Sequence, residues 1–256
     1  MVRAPDDLHT QTLDKLGLAI ASGELPAGYT ITIEELEERY GVSRSVIREI
    51  LRALAAIGMV ASRKRVGITV LPMAEWNAFD LQVIRWRLAS PSRISQLRAL
   101  TELRAAIEPE AAKLASVRAP LGGSSDLVGL AGRMWAAGRG GDTELFLRLD
   151  IEFHSLVLEM SGNEMFSRLQ SLVSEVLAGR THYGMMPEHP HDEALQLHVD
   201  VANGIQSGNA DAAGAAMVRI MQRTLTEMSA IWQQGSGAES PAVPPAHAVP
   251  QPVVPA

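Results

Sequence analysis

Apolar residues recur every three or four positions along most of this chain, and this spacing predicts amphipathic helices. Three such stretches, at 8–22, 32–40 and 43–57, begin the sequence and are separated by turns that contain glycine. The second stretch begins with the capping-box residues at 32–35, and the third begins with the N-cap residue Ser43. We therefore predict three short helices in the N-terminal quarter of the chain.

A basic hairpin is predicted to follow these helices. Two short strands at 60–63 and 67–71 flank the tip Arg63-Lys64-Arg65. Three helices and a basic hairpin are the elements of a winged helix-turn-helix, so we assign residues 1–72 to a DNA-binding domain of this kind.

The third helix has the side chains of a recognition helix. Arg44, Arg48 and Arg52 are four residues apart and project from one face. Beside them lie the short side chains of Ser43 and Ser45, which leave room for a close approach to the DNA major groove. Taken alone, the segment is more typical of a solvated amphipathic helix. The adjacent basic hairpin favours the DNA-binding interpretation.

Charge and composition limit the other possibilities. The net charge is -6, but residues 44–65 contain six basic residues and Glu49 as their single acidic residue. A local positive patch of this kind is sufficient for binding phosphate. The chain has no cysteine, and no apolar run reaches the roughly 18 residues that a membrane span needs. We expect a cytoplasmic protein without disulfides or thiolate metal sites.

The remainder of the chain has helical periodicity and no credible strand. We predict a linker helix within 73–91, an all-helical bundle of six or seven helices at 92–234, and a disordered tail at 235–256, which is rich in Pro and Ala. A kink or break is expected at Pro109, and a loop at 138–141. The predicted helices of the bundle are 92–117, 127–137, 142–160, 166–177, 194–206 and 210–233.

The N-terminal part resembles the GntR family of transcription regulators. The resemblance is carried by L-x-x-A-I-x-S-G-x-L-x-x-G at 16–28, by E-L-x-x-x-Y-G-V-S-R-x-x-I-R-E at 35–49, and by R-x-G-x-x-V at 65–70. It implies that Arg44 and Arg48 contact operator DNA. It also implies that Gly67 lets the tip of the wing approach the minor groove.

One residue departs from this resemblance. Some relatives carry an arginine near the start of the second helix, where this chain has Glu34. A carboxylate cannot make the contact with phosphate that an arginine makes, so we expect that contact to be missing.

The C-terminal part resembles the FCD ligand-sensing domain of the FadR branch of the family. The residues that carry the likeness are Trp76-Asn77, Trp86, Glu102-Leu103-Arg104, Glu108 to Ala112, Asp150, His154, His198 and Ala202. The resemblance implies an effector cavity inside a helical bundle.

A metal site is the first prediction for that cavity. Asp150 and His154 lie one helical turn apart and can share a cation with His198 from a later helix. The alternative for Asp150 and His154 is a surface hydrogen bond. Metal-binding relatives offer a further histidine, but the corresponding place is held by Ile220 or one of its neighbours. We expect an incomplete site that can still hold Zn, Ni or Mn.

Arginines are the second prediction for the cavity. Arg104 could pair with Glu108 at i+4, but it also stands where FCD relatives place an arginine into the ligand cavity. A buried guanidinium can bind a carboxylate through two hydrogen bonds, and Arg180 could add polar contacts. The three histidines 182, 189 and 191 are interpreted as exposed loop residues.

These features together predict a ligand-responsive transcription regulator and not an enzyme. We expect a homodimeric repressor of a catabolic operon, bound to an inverted repeat in double-stranded DNA and released by a small carboxylate. The linker residues Trp76-Asn77 and Trp86 resemble those of regulators of sugar-acid catabolism, so a hexonate is the expected effector. The alternatives are a metal-free sensor of acyl thioesters, a helical metalloenzyme fused to a DNA-binding domain, and a constitutive architectural DNA-binding protein.

Overall fold

A computed structural model describes residues 5–63, 67–185 and 191–235 of the chain. The N-terminal elements are α1 (Pro5–Ala21), β1 (Thr30–Ile31), α2 (Ile33–Tyr40), α3 (Arg44–Ala56), β2 (Val60–Arg63) and β3 (Gly67–Val70). A 3-10 turn at Met73–Glu75 leads to α4 (Leu81–Leu88), α5 (Arg93–Arg118), α6 (Leu121–Gly140), α7 (Thr143–Met160), α8 (Glu164–Ser167), α9 (Gln170–His182), α10 (Asp192–Gln206) and α11 (Ala210–Gly235). The fold is therefore mainly helical, as predicted.

The winged helix-turn-helix contains one strand that the sequence did not predict. β1 is two residues long and pairs antiparallel with β3, which gives a sheet of order β1-β3-β2. A strand of two residues is too short to show an alternating pattern. Gly67 has φ 107°, and a Cβ there would lie 3.0 Å from the carbonyl oxygen of Ile31. The absence of a side chain at Gly67 therefore lets β1 pack close to β3.

Of the two predicted helix N-caps, one makes the capping hydrogen bonds and the other does not. The Thr32 hydroxyl accepts a hydrogen bond from the Glu35 amide at 3.2 Å, and the Glu35 carboxylate accepts one from the Thr32 amide at 2.7 Å. The capping box is thus confirmed. Ser43 is the N-cap of α3, but its hydroxyl makes no capping bond and lies 2.9 Å from the Ser45 hydroxyl. The prediction of a capping bond there was wrong.

The predicted linker helix is interrupted. Within 73–91, the 3-10 turn is followed by an extended residue, Trp76, and α4 begins only after Asp80. The Asp80 side chain accepts hydrogen bonds from the amides of Gln82 and Val83 and so fixes the start of α4. Gly58 has φ 77°, and a Cβ there would collide with the Glu75 carbonyl. The turn therefore packs directly against the end of α3.

Helix α4 lies between the two hydrophobic cores. Val83 and Trp86 belong to the core of the DNA-binding domain, whereas Ile84 and Leu88 pack with α5 and α9. The Trp86 indole donates a hydrogen bond to the Asp14 carboxylate at 3.1 Å. Each face of α4 is thus buried in a different domain.

Helix α5 shows no break at Pro109, and the loop predicted at 138–141 is shorter than expected, since α6 ends at Gly140 and α7 begins at Thr143. Helix α5 continues through Pro109, which is buried, and α6 continues to Gly140, with Gly141 as its left-handed C-cap. A proline removes one hydrogen bond, and the packing of α5 against α7, α10 and α11 compensates for that loss. At Gly138 a Cβ would lie 2.7 Å from a Leu195 methyl, so the glycine allows α6 to approach α10.

Other helix boundaries also differ from the predicted ones. Helix α6 begins six residues before the predicted start, and the stretch predicted as one helix at 166–177 spans parts of α8 and α9. The main core of the domain is formed by apolar residues of α5, α6, α7, α9, α10 and α11. None of the described helices is long and apolar enough to cross a membrane. The disordered tail was predicted at 235–256, but Gly235 is the last residue of α11, and residues 236–256 lie outside the described residues.

Candidate DNA-binding surface and effector cavity

The predicted DNA-binding side chains of α3 are on the surface. Ser43, Arg44, Ser45 and Arg48 are all exposed at the N-terminal end of the helix, opposite its buried side. A helix presented in this way can place its first turns in a major groove.

Arg44 has a partner within the protein. One of its terminal nitrogens lies 2.6 Å from a carboxylate oxygen of Glu34 and 3.8 Å from one of Glu37. A backbone hydrogen bond and the guanidinium of Arg44 lower the pKa of Glu34 below its usual value. Glu34, the residue that departs from the family resemblance, therefore pairs with a predicted DNA contact.

The wing is described only in part. Arg63 ends β2 and pairs with Gly67 across the hairpin. Lys64 and Arg65 lie outside the described residues, so their contact with DNA stays a prediction.

A cavity lies inside the helical domain, between α5, α7, α9, α10 and α11. Its accessible volume is about 50 Å³, which is room for a few water molecules. All five predicted effector residues line it. The lining consists of Arg104, Phe146, Asp150, His154, Leu177, Arg180, His191, Ala194, His198, Ile220, Arg223, Thr224 and Glu227.

The three predicted metal ligands meet in this cavity. Oδ1 of Asp150 lies 3.3 Å from Nε2 of His154 and 3.3 Å from Nε2 of His198. All three side chains are buried, and this trio is the one group of metal-ligand type found among the described residues. Oδ1 of Asp150 and Nε2 of His198 have no hydrogen-bond partner within the described part of the chain. Two imidazoles and a carboxylate that converge in this way fit a divalent metal.

The other nitrogen of each histidine lies close to a second group. Nδ1 of His154 lies 2.6 Å from Oε2 of Glu108, and Nδ1 of His198 lies 2.8 Å from the carbonyl oxygen of Ala194. Such contacts direct Nε2 of each ring toward the common point near Asp150. In metal-binding proteins, the histidine nitrogen that does not bind the metal usually contacts a carboxylate or a backbone carbonyl in this way.

The charges of this cluster are strongly coupled. Burial raises the pKa of Glu108, but Arg104 and His154 outweigh that effect and hold it at about 2. Burial lowers the pKa of His154, but Glu108 and Asp150 raise it to about 9. Burial likewise raises the pKa of Asp150, yet the two histidines bring it below its usual value. Without a metal, His154 is therefore protonated, and a metal would have to displace that proton.

Arg104 pairs with Glu108 and also lines the cavity. Its Nε donates to Oε1 of Glu108 at 2.6 Å and its Nη2 donates to Oε2 at 3.3 Å. Both side chains are fully buried. Nη1 of Arg104 has no hydrogen-bond partner among the described residues, and the side chain lines the cavity. The i+4 pair and the position in the cavity thus coexist.

Arg180 is also buried, but it is paired less closely. Its contacts are a 3.5 Å hydrogen bond to the Thr224 hydroxyl and a 3.4 Å ion pair with Glu227. Burial lowers the pKa of Arg180 to about 10, and the charge of Arg104 acts in the same direction.

The place expected for a fourth metal ligand is apolar. Ile220 lies in the cavity wall and is buried, so α11 supplies no histidine there. The sequence analysis named Glu108 as a partner of Arg104 and as part of the FCD resemblance, but not as a contact of His154, and it missed Arg223, Thr224 and Glu227. The signal that could have found Thr224 and Glu227 is their spacing, since they continue the inward face of α11 that carries Ile220.

The other histidines are only partly as expected. His182 is exposed, but it lies in the last turn of α9 and not in a loop. His191 is exposed and precedes α10, yet it lines the cavity. His189 lies outside the described residues.

A winged helix-turn-helix followed by a helical bundle with a polar internal cavity defines a DNA-binding regulator with a sensor domain. Comparison with known proteins gives the same class. Residues 8–70 match the family described as bacterial regulatory proteins, gntR family, and residues 99–223 match the FCD domain. The chain therefore has a gntR-family DNA-binding domain followed by an FCD domain, and it is a transcription regulator and not an enzyme.

Individual relatives agree with this class. The galactonate operon transcriptional repressor of Escherichia coli K12 is 29% identical over 84% of this chain and 95% of its own length. The uncharacterized HTH-type transcriptional regulator YieP of the same organism is 28% identical over 82% of this chain and 90% of its own. The solved structure of E. coli McbR/YncC has a TM-score of 0.50, with 17% identity over 91% of this chain and 100% of that one, and it supports the fold alone.

Proposed function

We propose that this regulator is a repressor of the FadR branch that binds a small hydroxy-carboxylate, such as a hexonate, in the cavity of its FCD domain. The observation that carries the proposal is the convergence of Asp150, His154 and His198 with two buried arginines in one cavity. Carboxylates pair with arginine, and adjacent hydroxyls suit a metal or its histidine ligands. The name of the galactonate operon repressor, 29% identical to this chain, supports the same class of effector.

A divalent metal is part of this proposal. Asp150, His154 and His198 would hold Zn, Ni or Mn, and the metal would supply a Lewis acid for oxygen atoms of the effector. With three protein ligands, the remaining coordination positions are open to water or to the effector. Glu108 and the Ala194 carbonyl would keep the two imidazoles in the ligating orientation.

The polarity of the cavity favours a small acid over an acyl thioester, and the cavity of about 50 Å³ would have to widen to admit a hexonate. A long acyl chain needs a deep apolar tunnel, whereas this cavity is lined by charged groups from five helices. The exposed arginines of α3 and the basic wing support binding to duplex DNA. A two-fold homodimer on an inverted repeat is proposed because helix-turn-helix domains commonly read paired half-sites.

The metal is tested by elemental analysis. We expect the purified protein to contain a divalent metal, and His154→Ala to lose it, while the exposed His182→Ala retains it. Absence of metal in the wild-type protein, together with no thermal shift on adding Zn, Ni or Mn, would contradict the metal site.

The effector is tested by release of DNA. A duplex selected by the protein from a random pool serves as the operator, and D-galactonate, D-gluconate, L-lactate and an acyl thioester are added in turn. We expect release by a sugar acid or short hydroxy acid. Release by the acyl thioester alone would contradict the proposed effector class, and selection of direct repeats or single half-sites would contradict the proposed operator.

A further inference from the structure

The two buried arginines of the cavity differ in how their charge is compensated. Arg104 binds both oxygens of Glu108 through its Nε and Nη2, at 2.6 and 3.3 Å. Its partner is fully buried and also lies 2.6 Å from His154. The guanidinium of Arg104 is thus committed to an internal chain of charged groups, and only Nη1 is left for a ligand.

Arg180 has no comparable partner among the described residues. Its side chain is 4% exposed, yet its two contacts, with Thr224 and Glu227, are at 3.5 and 3.4 Å. Nε of Arg180 has no hydrogen-bond partner within the described ranges. A buried charge with such long contacts is costly, because it has lost water without gaining a close counter-ion.

Glu227 is itself shared between two arginines. Its Oε1 lies 3.0 Å from Nε of Arg223, and its Oε2 lies 3.4 Å from Nη2 of Arg180. It is also partly exposed, with 32% of its side chain accessible. Glu227 can therefore give up Arg180 and keep Arg223 without becoming an unpaired buried carboxylate.

From these contacts we propose that Arg180, and not Arg104, binds the carboxylate of the effector, and that Glu227 is the internal carboxylate that the effector displaces. The inference rests on the proposed function and assigns the roles within it. An incoming carboxylate would give Arg180 a short bidentate partner in place of one long contact. Glu227 would then pair with Arg223 alone.

The position of Arg180 suits this role. It lines the same cavity as Asp150, His154 and His198, so an effector held at Arg180 would have its hydroxyl groups in the space that the metal site faces. The apolar side chains Leu177 and Ile220 line the same cavity and limit the access of water. A carboxylate–guanidinium contact is stronger in such surroundings than in water.

Arg104 is then a positioning residue. It fixes Glu108 from one side, and Glu108 contacts Nδ1 of His154 from the other. Loss of Arg104 would weaken the orientation of His154 and thus the binding of metal. Loss of Arg104 should therefore weaken effector binding only indirectly, and excess metal should restore that binding.

The test is calorimetric titration of the zinc-loaded full-length protein with D-galactonate, D-gluconate and L-lactate, and with neutral D-galactose as a control. We expect Arg180→Gln to weaken binding of the acid by about tenfold to a hundredfold, the range for hydrogen bonds to charged groups. Arg180→Lys should restore part of the loss. Glu227→Gln should tighten binding, because the competing carboxylate is gone. The exposed Arg148→Gln should change nothing.

Arg104→Gln separates the two roles. We expect it to lower zinc affinity, measured by competition with a chelator, and to bind the acid normally once zinc is saturating. The inference would be overturned if Arg180→Gln bound the acid as the wild type does, or if Glu227→Gln bound it more weakly. Acid binding lost in Arg104→Gln at saturating zinc would also overturn it, while leaving the proposed function intact.

Failure of the proposed function has a different signature. If the wild-type protein bound none of the three acids, with or without zinc, the proposed effector class would be wrong, and this inference with it. Arg180→Lys and Glu227→Gln conserve charge or shape, so they provide the comparison if Arg180→Gln does not fold.

Discussion

Two arginine–glutamate pairs in this protein have the same shortest distance and opposite surroundings. Arg44 lies 2.6 Å from Glu34 on the DNA-binding surface, where 49% and 64% of the two side chains are exposed. Arg104 lies 2.6 Å from Glu108 inside the sensor domain, where the exposed fractions are 1% and 0%. A surface pair is screened by water and salt and contributes about 0–1 kcal/mol, whereas breaking a buried pair costs about 3–5 kcal/mol.

The contrast explains how each region can work. The surface pair can exchange Glu34 for a DNA phosphate at little cost, so Arg44 stays available for binding. The buried pair cannot be opened without leaving a charge unpaired, so it maintains one arrangement of His154 and Glu108. An arginine–glutamate pair can thus open reversibly on the surface, whereas the same pair in the interior fixes the positions of its neighbours.

The largest expected effect comes from breaking the buried pair. Glu108→Ala should lower the free energy of unfolding by about 3–5 kcal/mol, because Arg104 remains buried without its partner. Urea denaturation in the presence of a chelator measures this without a contribution from metal. The matched control is Glu144→Ala, which removes the exposed partner of Arg148 and should cost at most about 1 kcal/mol. Equal effects of the two variants would contradict the importance of burial.

A smaller loss is expected on the DNA-binding surface. Arg48→Ala should weaken binding to the selected operator by about 1–3 kcal/mol, the usual value of one base contact in the major groove. Gel-shift titration measures the affinity, and urea denaturation should show unchanged stability because Arg48 is exposed. Wild-type affinity in this variant would exclude α3 as the recognition helix.

The wing should contribute through charge alone. Lys64→Ala should weaken binding to all duplexes to a similar degree and reduce the slope of log affinity against log salt by about one unit. Titrations at several salt concentrations test this. A loss confined to one sequence would indicate a base contact instead of a phosphate contact.

The smallest effect should have the opposite sign. Glu34→Gln removes the carboxylate that pairs with Arg44, so affinity for DNA should rise slightly at low salt. The gain should disappear at high salt, because the pair is exposed and screened. Weaker binding of DNA by Glu34→Gln would show that Glu34 positions Arg44 for the contact and does not compete with DNA.

The N-terminal domain was predictable because its signals are local. The three helices, the capping box at 32–35 and the two hairpin strands depend on residues that are neighbours in the sequence. Pairs one helical turn apart, such as Asp150 with His154, were predictable for the same reason. Strand β1 was missed because it exists only through its pairing with β3.

In the helical domain, packing decided several features that local signals predict wrongly. Pro109 indicates a break in an isolated helix, but it lies inside α5, and α6 extends through Gly138 to Gly140, where it packs against Leu195 of α10. The linker was divided into a turn and α4 by contacts with the end of α3 and with both cores. Tertiary contacts can outweigh local propensity, which amounts to only about 1–3 kcal/mol for such residues.

The sequence by itself therefore determined the class of both domains and named five polar residues of the cavity, Arg104, Asp150, His154, Arg180 and His198, but not Arg223 or Glu227. Only the tertiary structure decided how those charges are paired. Arg104 and Arg180 are the same residue type in the sequence. Arg104 faces the buried carboxylate of Glu108 on its own helix, whereas Arg180 faces Glu227 on α11, which is partly exposed and shared with Arg223. The roles of the two arginines depend on burial and on distances between helices, and these arise only when the chain has folded.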